Sequence, residues 1–68
     1  MKITKTEAMQ IARQECERRG WPWQEPILIH WGFFSFTVRT NTQRRGGNVS
    51  LRIRKRDGVV VGAAFADR

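Results

Sequence analysis

Few residues of this chain can do covalent or acid–base chemistry. The sole cysteine, Cys16, and the sole histidine, His30, are the only material for a Cys/His nucleophile, and such a pair must meet in an exposed site that stabilises the thiolate. Their settings argue otherwise. Cys16 follows Ala8, Ile11 and Ala12 at spacings of three and four, the apolar stripe of a helix, where a small thiol packs as a hydrophobe. His30 lies in a β-rich run and alternates onto the sheet face away from that helix. A lone histidine makes no zinc site, and a lone cysteine makes neither an internal disulfide nor a cysteine-based metal cluster. Carboxylate catalysis needs two acids converging on one bond, whereas Glu7, Glu15, Glu17, Glu25, Asp57 and Asp67 are scattered over caps, connector, turn and tail. Gly46-Gly47 has no strand-to-helix setting and no following Lys-Ser/Thr, so it is a turn and not a phosphate loop. The expectation is no catalytic residue, no metal and no cofactor.

Charge is the stronger signal. Thirteen Lys and Arg against six Asp and Glu give the 68-residue chain a net charge of +7, which favours polyanions, acidic protein surfaces or anionic lipid headgroups as partners. If the strands alternate as below, His30, Phe33, Ser35, Thr37, Arg39, Arg52 and Arg54 share one sheet face, with Arg44, Arg45 and Arg56 on the loops beside it. Arginines interleaved with an aromatic ring suit single-stranded nucleic acid, pairing phosphates and stacking bases. The same pattern also describes the solvated side of an open antiparallel sheet, where arginines discourage edge aggregation.

The elements that position these residues follow from local chemistry. Thr4 followed by Glu7 is a capping box, so a helix starts near residue 5. Arg18 and Arg19 suit its negative end, Glu15 and Arg19 pair at i,i+4, and Gly20 ends it near Arg19. Trp21-Pro22-Trp23-Gln24-Glu25-Pro26 is a stiff extended connector whose tryptophans lid one end of the core. The β-rich run after Pro26 is interrupted at Gly32. A two-residue turn at Trp31-Gly32 places Ile29 opposite Phe34 and Ile27 opposite Phe36; a bulge at Gly32 in one bent strand is the alternative. Beyond the polar loop 41–47, Val49, Leu51 and Ile53 alternate with Ser50, Arg52 and Arg54. A three-residue turn at Arg56-Asp57-Gly58 then pairs Ile53 with Val61, Leu51 with Ala63 and Val49 with Phe65. The predicted fold class is α+β. One N-terminal helix packs on a four-stranded antiparallel meander, three-stranded if Gly32 is a bulge, in a single α-β-β-β-β domain over residues 1–68. No run approaches the ~20 apolar residues of a membrane span and no apolar leader opens the chain, which predicts a cytoplasmic protein.

The order of elements, with Phe34-Ser-Phe-Thr-Val, then Gly46-Gly47-Asn-Val-Ser-Leu-Arg-Ile, then Asp57-Gly58-Val-Val, resembles PepSY-like domains. That resemblance implies a helix-on-sheet module without catalytic residues, of the kind found in protease propeptides and in inhibitory or interaction modules. Two features depart from it: PepSY domains are commonly exported, and the strand often acidic near the last turn here reads Arg52-Ile-Arg-Lys-Arg56.

The reading that combines these features is a non-enzymatic binding module contacting a protein partner or its own copy through the open sheet face or edge. The alternative is a nucleic-acid-binding protein using the basic face. No small-molecule substrate is implied.

Overall fold

A computed structural model of the chain describes residues 2–43 and 46–66. Arg44 and Arg45, assigned above to the binding face, and Asp67 lie outside the described residues. The chain forms helix α1 (Lys5–Arg19) and strands β1 (Leu28–Trp31), β2 (Ser35–Arg39), β3 (Asn48–Arg54) and β4 (Val60–Ala66). The strands make one antiparallel sheet in the order β1-β2-β3-β4, as the α+β reading requires.

The helix limits are those its caps dictate. The Thr4 amide donates to Glu7 Oε1 at 2.8 Å and the Glu7 amide to Thr4 Oγ1 at 3.2 Å, while Gly20 closes the helix at φ 74°. Ala8, Ala12 and Cys16 are fully buried against the inner faces of β2 and β3, where Phe36, Val38, Val49, Leu51 and Ile53 complete the core. Three small side chains on consecutive turns bring the helix backbone close to the sheet, so the strands supply nearly all the core volume. Trp21 and Trp23 pack at the core margin, Trp21 stacked on Phe65 at 5.7 Å. The connector is held by the Asn41 amide donating to the Gln24 carbonyl at 2.8 Å.

The β1–β2 connection is a hairpin, but not with the expected register. Trp31 pairs with Phe36 and Ile29 with Val38, making Phe33-Phe34 a two-residue turn closed by the Gly32 amide on the Ser35 carbonyl at 2.8 Å. The expected pairing put Ile29 opposite Phe34, beyond Ser35, where the β2–β3 ladder ends at Arg54 and no third strand continues the row. The observed shift aligns Ile29, Val38, Leu51 and Ala63 in one inner row and Trp31, Phe36, Ile53 and Val60 in the next. It is an even shift, so β1 keeps its faces, but Phe34 leaves the core and is 76% exposed.

On β3 and β4, Leu51 opposes Ala63 and Val49 opposes Phe65 as expected, but Ile53 opposes Val60 and not Val61. The loop is four residues, Lys55-Arg-Asp-Gly58, and not three, with the Arg54 amide donating to the Val59 carbonyl at 2.8 Å. A bulge between Arg52 and Ile53 absorbs the mismatch, leaving Val61 as the extra residue and exposed. Gly58 (φ 76°) brings this turn under the helix: a Cβ there would lie 3.0 Å from Ile11 Cδ1.

Two glycine substitutions separate backbone strain from crowding. Gly20→Ala carries left-handed strain in open space and costs about 1 kcal/mol. Gly58→Ala adds the contact with Ile11 and costs more, while Leu51→Ala, emptying a fully buried site, costs about 2–5 kcal/mol. Urea unfolding of the three variants checks the order.

Candidate functional site

Each pair of strands contributes alternate residues to the outer sheet face, which nothing among the described residues covers. Two rows cross it: Leu28, Arg39, Ser50 and Ala64, then His30, Thr37, Arg52 and Gly62. Ser35 and Arg54 form a third, shorter row. The sheet therefore brings His30, Arg39 and Arg52 together as the alternation requires. A shallow groove runs across the first row between Leu28, Arg39, Ser50 and Ala64, and a second hollow beside it is lined by Leu28, His30, Thr37 and Arg39.

The arginines are not equivalent. Arg54 Nε and Nη2 grip Asp57 Oδ1 and Oδ2 at 2.9 and 2.6 Å. This bidentate pair draws the Asp57 carboxyl from its ordinary 3.8 down to about 2, helped by the Val59 amide. Glu15 is lowered by hydrogen bonds from Arg18 and Arg19. Arg39, Arg52 and Arg56, by contrast, form no ion pair among the described residues. Arg56 is exposed in the β3–β4 turn. Phe33 is not on the outer face; the register change places it at the hairpin tip, 83% exposed and edge-to-face with Phe34 at 4.6 Å.

Cys16 and His30 are not partners. Cys16 is fully buried under the helix, where burial first, and the Glu15 carboxylate second, raise its pKa. His30 is exposed on the opposite side of the sheet. Among the described residues no three His, Cys, Asp or Glu side chains converge as metal ligands, and no helix is long and apolar enough to cross a membrane.

The second surface is the open sheet edge. β4 is an outer strand of the sheet, and Val59-Val-Val-Gly-Ala-Ala-Phe-Ala66 carries neither charge nor proline. Val49 turns its backbone toward β2, its carbonyl accepting from the Thr40 amide and its amide donating to Thr40 Oγ1, both at 3.0 Å. Its partner Phe65, and Ala63 two residues earlier, therefore point their backbone groups away from β3, into the open edge. The signal was present as an uncharged β-run, but only the strand order shows which strand lacks a neighbour. β1, the other edge, is four residues long.

No family model matches the chain, and no curated protein or solved structure matches it. A fold does not by itself assign an activity; the chemistry of its exposed surfaces does.

Two measurements check these assignments. Cys16 in the folded protein reacts with a disulfide reagent at least ~100-fold more slowly than in denaturant. The lowered Asp57 favours the folded state above pH 3.8, and that contribution fades as pH falls toward about 2. Asp57→Asn therefore flattens the acid limb of the stability curve in that window without abolishing it, since Glu15, also lowered, remains.

Proposed function

We propose that this protein is a non-enzymatic binding module that recruits a protein partner, in the first instance a second copy of itself, by adding a strand at the open edge of β4. The observation that carries this reading is the neutral, proline-free β4 edge, where Ala63 and Phe65 turn their backbone groups outward and meet no partner among the described residues. Natural sheets blunt an exposed edge with lysines, prolines, short length or bulges. Here the Val61 bulge protects only the first part of β4, and the seven-residue strand runs on through Ala66. Gly62, Ala64 and Ala66 on its outer side allow close approach, and a two-fold axis perpendicular to the edge strand pairs β4 antiparallel with its copy, a self-complementary contact. An interaction role is also what the PepSY-like resemblance implies.

Self-association has a distinct salt signature. Two chains of net charge +7 repel at long range, whereas the contact strand is neutral, so screening strengthens pairing. Nucleic-acid binding by the outer face is the second reading, supported by Arg39 and Arg52 standing without carboxylate partners among the described residues. Phe33 lies at the hairpin tip and not beside them, and salt weakens such binding steeply.

Sedimentation between about 50 and 300 mM salt separates the two. The dimer fraction rises with salt and is lost in Ala64→Lys and in Ala63→Pro, whose missing amide faces the open edge. A chain that stays monomeric throughout, or an Ala64→Lys variant that pairs like the parent, overturns the edge reading. Oligonucleotide binding at low salt that disappears in Arg39→Glu with Arg52→Glu favours the second.

A further inference from the structure

The β1–β2 tip is built, and yet uncovered. Its loop is tied by the Lys55 amide donating to the Phe34 carbonyl at 2.9 Å, and Lys55 is tied in turn by the Ile3 amide donating to its carbonyl at 2.8 Å. Three segments, the hairpin tip, the β3–β4 turn and the helix N-terminus, thus share one end of the molecule. At that end Trp31, Phe33 and Phe34 are 55, 83 and 76% exposed. The Lys5 ammonium lies 5.1 Å from the Trp31 ring centre and the Lys55 ammonium 5.2 Å from that of Phe36. Lys2 and Arg56 are exposed nearby in sequence, and Asp57 is already taken by Arg54.

We infer that this aromatic tip docks on an anionic lipid surface, a contact independent of the β4 edge. The chemistry is graded in the way an interface is. Phe33 and Phe34, without a polar atom in their side chains, form the projecting part; Trp31, with its indole N–H, stands behind them at the depth where tryptophan is favoured; and the two lysines carry charge beside the rings, at headgroup level. The basic surround selects anionic over zwitterionic headgroups. Base stacking is disfavoured because an ammonium already lies over Trp31 and the phenylalanines pack edge to face. A turn projecting from the end of a sheet offers a folded protein little area, whereas a bilayer conforms to it.

Co-sedimentation with vesicles of phosphatidylcholine alone, or with about one third phosphatidylserine, tests this. The protein partitions onto the anionic vesicles with a blue shift of tryptophan emission, and weakly or not at all onto the neutral ones. Phe33→Ser with Phe34→Ser, both in exposed positions, lowers the anionic partition coefficient about ten-fold or more with unchanged circular dichroism; Lys5→Glu with Lys55→Glu does the same. Equal binding to both vesicle types, no binding to either, or full binding by the Phe33→Ser, Phe34→Ser variant overturns the proposal. So does single-stranded RNA binding that depends on the two phenylalanines while vesicle binding does not, which makes nucleic acid the occupant.

Discussion

The close seating of α1 on β2 and β3 through Ala8, Ala12 and Cys16 is the constraint on which the rest of this structure depends. One helix is about 10 Å wide and neighbouring strands lie about 4.8 Å apart, so a single helix roofs two strands of a four-stranded sheet and no more. The residues under that roof, Val38, Val49, Leu51 and Ile53, are fully buried. The flanking strands are finished by other means: Trp21 stacks on Phe65 of β4, and Lys5 lies over Trp31 of β1. What these leave uncovered is the edge of β4, the hairpin tip and the outer face, and those are the surfaces with functional potential.

Charge is distributed over these surfaces unevenly. Glu15 takes Arg18 and Arg19, and Asp57 takes Arg54, so part of the positive charge at the helix C-terminus and in the β3–β4 turn is offset locally. Arg39 and Arg52 on the outer face, and Lys5 and Lys55 at the tip, form no ion pair among the described residues, while Val59–Ala66 is neutral. A chain with net charge +7 can therefore hold one surface on which like molecules meet without direct repulsion and others that attract anions. Ionic strength pushes these surfaces in opposite directions.

The sequence by itself determined what depends on neighbouring residues. The capping box at Thr4 and Glu7, the left-handed Gly20 and the small-residue stripe set the helix at residues 5–19. Strict alternation set which side chains of β2 and β3 face it, and so gathered His30, Arg39 and Arg52 on the far side. Parity along a strand is local: a side chain's face survives any even slip. Only the tertiary structure decided how far each hairpin slipped. Trp31 met Phe36, and Phe33 and Phe34 moved to the tip, because the rows of β1 had to coincide with rows that β3 already supported under the helix. Val61 was displaced into a bulge because the turn near Gly58 closed against Ile3 and Ile11 before the Leu51–Ala63 row was reached. Register and strand order are set by contacts between residues far apart in the chain, and those same contacts determine which apolar groups remain exposed.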